Sequence, residues 1–592
     1  MTGLKCHTVA DAIFSFIHRS SDILRSHQGS ELGAETMKTV MVLLLLLVLA
    51  GWLYCAVIGD LTRSFVQALL GDLGRFISKL TWKHITSSLL CVLLALYRRR
   101  AKRRAREAEH WRQLVKRNGC DPIPSLPKKG FLGFGWLIDN MKANKMERGP
   151  MHLVESLDKE MGKSIHTCIV PIGDYQLIVT RDPENVQAIL ASNSADWDVG
   201  EHRTASWSPL VGHGVFTTRG EEWKVSRLLV RPQFSKDAIN DLDLVERHVQ
   251  ELFEAIDEYM DGRPAVEAGW TNKFDLQPLF YNMTLDITTE LIYGYSVHSQ
   301  NPKARVKLPD LPGYPAPDRM NISSHMDAGK AWIETRGALW KYRWLLPSGE
   351  FKKHCEAVHR FADWFVQLRL MRGDAYLDGL ADTGAPRKDR YVLLHELAKE
   401  TQDPDELRGQ TLNILLAGRD TTAALLGWIF YFLARHPRVF KKLREEILEQ
   451  FGPYSPTKPS GLTDFGKLRG LYLNAVINES LRVAPVIPLN ERVALRDTKL
   501  PRGGHPNPLQ PIMVPKGTQV LISTYAMTRR EDIWGPNVDE FRPERWIEKG
   551  GRKFGFEFIP FGGGVRQCLG RKLRTAELPS RTSTTCHWSI AD

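Results

Sequence analysis

A chain of 592 residues, 43% hydrophobic and 25% charged, is long enough to bury a large core and too apolar for wholesale disorder. Its eight cysteines include no Cys-x-x-Cys pair, which argues against a zinc cluster and a disulfide scaffold. The net charge of +12 does not indicate nucleic-acid binding, because +8 of it lies in Arg98–Arg117, directly after hydrophobic segments.

The first element in chain order is an uncharged run of 19 residues, Val40–Ile58, which follows the tail 1–39. A helix that rises about 1.5 Å per residue would extend this run over roughly 28 Å, enough for the hydrocarbon core of a membrane. The run therefore predicts a transmembrane helix. A cleaved signal peptide is the alternative, although the preceding tail is long for a secretory leader.

A second apolar stretch, Ile85–Tyr97, has only 13 residues and is followed at once by the basic run. It fits a short span, an interfacial helix or a re-entrant piece, so the number of membrane crossings stays open. The positive-inside rule keeps the arginines cytosolic in each case. We therefore expect the region 59–117 to be juxtamembrane and the bulk of the chain to face the cytosol.

The region that follows, 118–135, contains three prolines and four glycines, which predicts a stiff connector. Beyond it, helical spacing, as in Asp241–Met260, is broken by β-like runs such as Ser164–Thr180. The proline-rich stretch Asn301–Met320 predicts a surface loop. The region 136–592 is therefore expected to be one mainly α domain with a small β part.

The stretch FGGGVRQCLG, residues 561–570, surrounds Cys568 with glycines. Glycines let the backbone approach a flat, bulky partner and turn N–H groups toward a thiolate. Arg566 could pair with an acidic group on that partner, and Phe561 could cover the sulfur. A lone buried cysteine is usually structural, so this interpretation needs support from elsewhere in the chain.

The stretch follows the pattern Phe-x-x-Gly-x-Arg-x-Cys-x-Gly through Phe561, Gly564, Arg566, Cys568 and Gly570. This pattern resembles the haem-binding loop of the cytochrome P450 superfamily. The resemblance implies the P450 fold, a single large haem domain, with haem b as the cofactor. It also implies that Cys568 is the axial ligand of the haem iron.

Two further motifs resemble the same family. Glu479 and Arg482 in LNAVINESLRVAP, together with Arg545 in FRPERW, resemble its Glu-Arg-Arg triad, which implies a structural role beside the haem loop. Trp223 and Arg227 lie one helical turn apart, which in the family implies hydrogen bonds to a haem propionate. Arg492 in PLNERVA is another candidate propionate partner by the same resemblance.

The string LLAGRDTTA, residues 415–423, places a glycine, an aspartate and a threonine inside an apolar helix. This composition predicts a local opening of the backbone hydrogen bonds. The string also resembles the family's Ala/Gly-Gly-x-Asp/Glu-Thr motif. The resemblance implies that Asp420 and Thr421 deliver protons during the activation of dioxygen.

Several strings, among them AGRDTTA, RPQF and DTKLPRGGHPN, resemble the fungal alkane and fatty-acid hydroxylase branch of the family. The resemblance implies terminal hydroxylation of an aliphatic chain at the endoplasmic reticulum membrane. No flavin or nicotinamide fingerprint is found in the sequence, which implies a separate NADPH-dependent flavoprotein reductase. A tailoring oxidase for a terpenoid or polyketide is an alternative within the same chemistry.

The C-terminal end departs from the family pattern. Only 24 residues follow Cys568, and LPSRTSTTCHWSIAD lacks the apolar periodicity of a core helix. We therefore expect the C-terminus to be truncated or aberrant after about residue 578. A non-catalytic remnant is the alternative that this end leaves open.

Overall fold

The structure is a computed structural model, and the residues that it describes fall into ranges separated by gaps. These ranges are 82–130, 133–173, 175–234, 242–260, 274–303, 308–339, 346–373, 375–376, 391–452, 472–548 and 554–571. The chain divides into two compact units, Met1–His110 and Trp111–Asp592. The predicted transmembrane run Val40–Ile58 and the chain beyond residue 571 lie outside the described residues.

Helix α1, Trp82–Arg117, contains both the second apolar stretch and the basic run. Its last turn carries Lys116 and Arg117, and cations at this end interact favourably with the helix dipole. None of the helices within the described ranges combines the length and the apolar character that a membrane crossing requires.

The second unit is mainly helical, with a small sheet. Its helices α2–α16 are Phe134–Lys145, Gly149–Met161, Pro183–Gln187, Glu201–Val211, Gly220–Val230, Leu242–Met260, Gln277–Tyr293, Ile322–Leu339, Gly349–Arg372, Leu393–Glu400, Pro404–Arg435, Pro437–Phe451, Tyr472–Val483, Thr524–Met527 and Glu531–Trp534. The strands β1–β7 are Thr167–Ile172, Tyr175–Thr180, Trp197–Asp198, Leu489–Ala494, Thr498–Leu500, Ile512–Val514 and Gln519–Ser523.

Five of the strands form one sheet in the order β1-β2-β7-β4-β3, and β5 pairs with β6. The β-like run in the sequence is a hairpin of β1 and β2, with Thr167 opposite Thr180. Strand β7 lies parallel to β2, with Leu177 opposite Gln519, and antiparallel to β4. The predicted connector is attached to this sheet, because the Leu126 N–H donates to the carbonyl of Ile169 at 2.8 Å.

The long helix α12 organises the helical part. The Asp403 carboxylate caps it by accepting from the Asp405 N–H at 2.9 Å, and Pro404 occupies the first turn, where no N–H partner is needed. Its 32 residues correspond to roughly 48 Å. Buried leucines such as Leu412 and Leu426 face α8, α10 and α14, so one helix links the two largest apolar clusters.

A buried ion-pair network joins α7 to α8. The fully buried His248 contacts Glu251 through Nδ1 at 2.7 Å and Glu290 through Nε2 at 2.5 Å. Burial acts to lower the pKa of His248, but hydrogen bonds and charge attraction from the two carboxylates outweigh it and raise the pKa to about 9. Helix α7, for which the sequence predicted helical spacing, therefore carries a charged histidine inside the core.

Candidate active site

The loop that carries Cys568 is closed by tight glycine geometry. Gly562 and Gly564 have φ values of 67° and 66°, a left-handed conformation that side chains with a Cβ rarely adopt. A Cβ on Gly564 would lie 1.6 Å from the carbonyl oxygen of Leu190, which belongs to the π-helical turn Ala188–Ser192. The Cys568 N–H donates to the carbonyl of Phe561 at 3.0 Å, so the loop turns back on itself and presents the thiol.

The side chain of Cys568 is exposed to solvent, although many protein atoms lie around its sulfur. Removal of water by these atoms raises the pKa of the thiol. Backbone N–H groups of Gly570 and Arg571 and the charge of Arg227 act in the opposite direction. The two N–H donors and the arginine charge favour the thiolate, which is the form that ligates a metal.

Arg566 joins the loop to strand β3 and helix α6. Its guanidinium binds Asp198 at 2.7 Å, donates to the carbonyl of Thr218 at 3.1 Å and lies 4.2 Å from the ring centroid of Trp223. Asp198 also accepts from the N–H of Gly220, the first residue of α6, at 2.8 Å. One carboxylate therefore fixes both the arginine and the helix that carries Trp223.

The other two predicted cofactor-binding arginines lie beside this group. Arg227 donates to the carbonyl of Gln567 at 3.0 Å, next to Cys568. Arg492 on β4 is 7% exposed and donates to the Asn490 side chain at 3.0 Å. Burial, followed by the charges of neighbouring arginines, lowers the pKa of Arg492 to about 9.

A fourth arginine, which the sequence analysis did not identify, completes the group. Arg203 on α5 lies with its guanidinium 4.0 Å from the ring of Phe216, and burial lowers its pKa. Its buried Nε has no hydrogen-bond partner among the described residues. No sequence motif marks a single arginine in a helix as part of a binding site, so only the fold shows that Arg203 lies beside the other three arginines.

We call the four side chains the arginine cluster: Arg203, Arg227, Arg492 and Arg566. Burial, and after it repulsion from neighbouring arginines, lowers the pKa of Arg492 to about 9 and that of Arg566 to about 10. The carboxylates that act most strongly on the cluster are Asp198 and Glu491, and Glu491 is also paired with His202 at 2.7 Å. A buried excess of positive charge is unfavourable unless an anion neutralises it.

These residues fit haem b. The Cys568 loop offers a cysteine with thiolate-stabilising donors, and the arginine cluster offers the positive charge that two propionates would neutralise. The orphan Nε of Arg203 supplies a donor for such an anion. Phe561, the first residue of this loop, packs against the apolar cluster that includes residues of α12 and α14.

Asp420 is held by ion pairs. Its Oδ2 accepts from Lys330 of α9 at 2.6 Å, and its Oδ1 accepts from Arg419 at 2.7 Å. Arg419 is 1% exposed and forms a two-point contact with Asp327 at 2.8 and 3.0 Å. The predicted proton-delivering carboxylate is therefore attached to α9 rather than pointing freely away from α12.

Thr421 follows Asp420 on α12 and is bonded within that helix. Its hydroxyl donates to the carbonyl of Ala417 at 2.7 Å, and Ala417 is exposed although it lies mid-helix. The predicted opening of the backbone was wrong, because α12 is continuous over Pro404–Arg435. The threonine satisfies its hydroxyl one turn back, a contact that a helix accommodates without a break.

Glu479 is the centre of a saturated buried network. It accepts from Arg482 Nε and Nη2 at 2.9 and 2.8 Å, from Arg545 Nε at 2.8 Å and from Trp546 Nε1 at 2.9 Å. The structure thus brings the three predicted triad residues into direct contact. Arg482 also donates to the backbone carbonyls of residues 528, 538 and 540, so α14 is joined to the segment before the Cys568 loop.

Comparison with known proteins identifies the family. The sequence model described as Cytochrome P450 matches residues 131–580. A crystal structure of the cytochrome P450DA haem domain has a TM-score of 0.58 at 19% identity and covers 79% of this chain and 90% of the solved one. At this identity the similarity establishes the fold.

Fungal proteins are similar over most of the chain. Cytochrome P450 monooxygenase g430 of Fusarium sp is 39% identical over 500 residues, 83% of this chain and 82% of the relative. Cytochrome P450 52A12 of Debaryomyces hansenii is 37% identical over 464 residues, 78% and 85% of the two chains. Cytochrome P450 52A3-B of Candida maltosa is 38% identical over 458 residues, 77% and 83% of the two chains.

Proposed function

Since this chain belongs to the cytochrome P450 family of haem-thiolate monooxygenases, we propose that it hydroxylates n-alkanes or fatty acids at or near the terminal methyl. The observation that carries the proposal is the Cys568 loop, with its thiolate donors and the arginine cluster beside it. The substrate class rests on the resemblance of AGRDTTA and neighbouring strings to the fungal alkane and fatty-acid hydroxylases. Similarity to 52A proteins of yeasts supports it.

Cys568 is the proposed axial ligand of the haem iron. The N–H groups of Gly570 and Arg571 donate toward its sulfur and stabilise the negative charge that it carries as a ligand. When bound, haem b supplies the iron at which dioxygen is activated for insertion into a C–H bond. The rigid glycine turns at 562 and 564 hold the sulfur in place for this role.

The arginine cluster and Trp223 are the proposed propionate partners. Guanidinium groups bind carboxylates with two parallel hydrogen bonds, which fixes orientation as well as charge. Arg566 and Arg227 are oriented by contacts to Asp198 and to the carbonyl of Gln567. The cofactor would thus be held from the loop, α5, α6 and β4 at once.

Asp420 and Thr421 are the proposed proton carriers. The carboxyl group of Asp420 takes up protons on the α9 side of α12, and the hydroxyl of Thr421 holds a hydrogen-bond position on the neighbouring face. The Glu479 network performs no chemistry in this proposal and maintains the packing of α14 against the segment before the loop.

The chain would work at a membrane with a partner. We assign 40–58 to a membrane anchor, 118–135 to a connector and 136–592 to the haem domain, which would face the cytosol at the endoplasmic reticulum. Electrons would come from an NADPH-dependent flavoprotein reductase. An aliphatic substrate partitions into lipid, so an anchored enzyme meets it where it accumulates.

The first test is haem ligation. The full chain, reduced and exposed to carbon monoxide, should give the strongly red-shifted Soret band of a thiolate-ligated complex. The variant Cys568→Ser should lose this band, whereas Cys355→Ser, which changes a buried cysteine of α10, should keep it. An unchanged band in Cys568→Ser would contradict the assignment of the ligand.

The second test addresses the substrate. The chain is reconstituted with an NADPH-dependent reductase and supplied with n-alkanes and fatty acids of increasing length. Terminal alcohols identified by mass spectrometry are the expected products. Turnover of a terpenoid or polyketide scaffold without turnover of any aliphatic chain would favour the tailoring oxidase and reject the proposed substrate class.

A further inference from the structure

We propose that Asp198 on strand β3 is a positioning residue of the cofactor site, which holds Arg566 and the first turn of α6 in place for the propionates of haem. The inference rests on the proposed function, because it assumes that Arg566, Trp223 and Arg227 are propionate partners. Asp198 lies outside every motif identified in the sequence. Its negative charge makes it no partner for a propionate, so it acts through these side chains.

The short strand β3 places this carboxylate at the arginine cluster. Strand β3 pairs with β4, and Asp198 lies opposite Val493, the residue after Arg492. Asp198 is 9% exposed and Arg492 is 7% exposed, so both charges lie inside the protein. The pairing of the two strands thus fixes the backbone of Asp198 beside the strand that carries Arg492.

Hydrogen bonds from backbone N–H groups orient the carboxylate. Its Oδ1 accepts from the Val199 N–H at 2.8 Å, and its Oδ2 accepts from the Gly220 N–H at 2.8 Å. The guanidinium Nη2 of Arg566 contacts Oδ1 at 2.7 Å. Since the backbone holds both oxygens, the carboxylate is a fixed point to which Arg566 aligns.

The contacts of Arg566 leave part of its guanidinium available to a ligand. Nη2 contacts Asp198 and donates to the Thr218 carbonyl at 3.1 Å, and the guanidinium carbon lies 4.2 Å from the ring centroid of Trp223. Within the described residues, Nε and Nη1 have no hydrogen-bond partner. A guanidinium that is already held at one nitrogen and across its face loses less side-chain entropy when its other N–H groups bind a carboxylate.

The second oxygen of Asp198 anchors helix α6. The N–H groups in the first turn of a helix have no partner inside it, and Arg219, which precedes α6, provides no side-chain cap. Asp198 supplies the acceptor for Gly220 from strand β3, and a negative charge at this end interacts favourably with the helix dipole. Trp223 and Arg227 follow on α6. The same carboxylate therefore fixes the start of the helix that carries both.

The charge of Asp198 also has an effect that opposes the propionates. Burial lowers the pKa of Arg492 and Arg566, and the charge of Asp198 acts in the opposite direction on both. A carboxylate that only neutralised Arg566 would compete with a propionate for it, whereas a carboxylate that orients Arg566 makes it a better partner. The two roles predict opposite signs for the coupling between Asp198 and Arg566 in haem retention.

A double-mutant cycle measures this coupling. Haem transfer from the haem-loaded full chain to apomyoglobin is compared with and without Arg566→Gln, in the wild-type and the Asp198→Asn backgrounds. We expect Arg566→Gln to speed the transfer by about tenfold in the wild type but by less than about threefold in Asp198→Asn, where the guanidinium is no longer aligned. An equal or larger acceleration in Asp198→Asn would show that Asp198 only competes for Arg566 and would overturn the proposal.

Asp196 provides the matched control. It lies just before β3, accepts from the Thr498 hydroxyl at 2.6 Å and pairs with the exposed Arg496. In the Asp196→Asn background, Arg566→Gln should keep its effect of about tenfold, because the contacts of Arg566 are unchanged. A reduction as large as the one in Asp198→Asn would show that the coupling is not specific to Asp198 and would reject its positioning role.

Urea unfolding of the haem-free full chain tests the contact without the cofactor. Asp198→Asn keeps an oxygen that can accept from Gly220 but removes the charge that pairs with Arg566. The urea midpoint should therefore fall, and the addition of Arg566→Gln should recover at least about half of the fall. A fall that Arg566→Gln does not reduce would show that Asp198 only caps α6 and would overturn the proposal.

The two measurements distinguish failure of this inference from failure of the proposed function. If the urea midpoint recovers but Arg566→Gln leaves haem transfer unchanged in the wild type, the ion pair is confirmed and the propionate assignment fails. If Arg566→Gln speeds haem transfer equally with and without Asp198, the propionate assignment stands and the positioning role of Asp198 fails.

Discussion

The packing of Gly564 against the π-helical turn leads to a quantitative prediction for Gly564→Ala. A Cβ there would lie 1.6 Å from the Leu190 oxygen, whereas real contacts of this kind are not shorter than 3.0 Å, so the loop would have to move by more than 1 Å. The left-handed backbone adds about 1–2 kcal/mol for a residue with a Cβ. Overpacking adds about 1–3 kcal/mol, for a total loss of about 2–5 kcal/mol.

Gly562 provides the matched control. It has nearly the same φ, 67° against 66°, but among the described residues no atom beyond its two chain neighbours lies within 4 Å of the position of its Cβ. Gly562→Ala should therefore lose only the backbone part, about 1–2 kcal/mol. Urea unfolding measures both losses, and the carbon-monoxide difference band reports on the proposed ligation of the iron by Cys568. Equal losses in the two variants would refute the reasoning from the Leu190 contact.

Three further predictions concern buried charges. Glu479→Gln leaves Arg482 without its buried counter-charge and should lower the unfolding free energy by about 3–5 kcal/mol. A loss below about 1 kcal/mol would contradict the stabilising role of the Glu479 network. Arg203→Met should speed haem transfer to apomyoglobin by about tenfold. The haem-free variant should be as stable as the wild type or more stable, because repulsion among the arginines is relieved. Unchanged haem transfer would argue against a role of Arg203 in holding the haem. His248, with its pKa raised from 6.5 to about 9, contributes stability below pH 6.5 that is lost as the pH rises to about 9. Relative to His248→Gln, the unfolding free energy should fall by up to about 3 kcal/mol across that interval, and a flat profile would mean that His248 is neutral in the fold.

The family and the cofactor were predictable from the sequence because the ligand loop demands particular residues at fixed spacing. A cysteine flanked by glycines with left-handed backbone angles tolerates few substitutions, so the pattern is recognisable in ten letters. The comparisons confirm the family and the haem cofactor. The β-like run in Ser164–Thr180 is also confirmed, as strands β1 and β2, and so is the helix in Asp241–Met260, where apolar residues recur at helical spacing.

Long-range electrostatic partners were not predictable. Arg203, Asp198 and Lys330 are ordinary charged residues that no motif marks, and they gain partners only when α5, β3 and α9 are brought beside the motifs. The opening predicted at Gly418 failed for a related reason. The Thr421 hydroxyl finds its acceptor within its own helix, so no water or side chain has to enter.

The parallel pairing of β2 with β7 sets a condition on biosynthesis. Leu177 cannot pair until Gln519 has been made, and at about 5–20 residues per second the ribosome needs roughly 17–70 s to add the intervening residues. During that time the hairpin of β1 and β2 presents an unpaired edge with apolar side chains. We therefore expect the nascent chain to depend on chaperones that shield this edge, and yields in a heterologous host to rise when such chaperones are supplied.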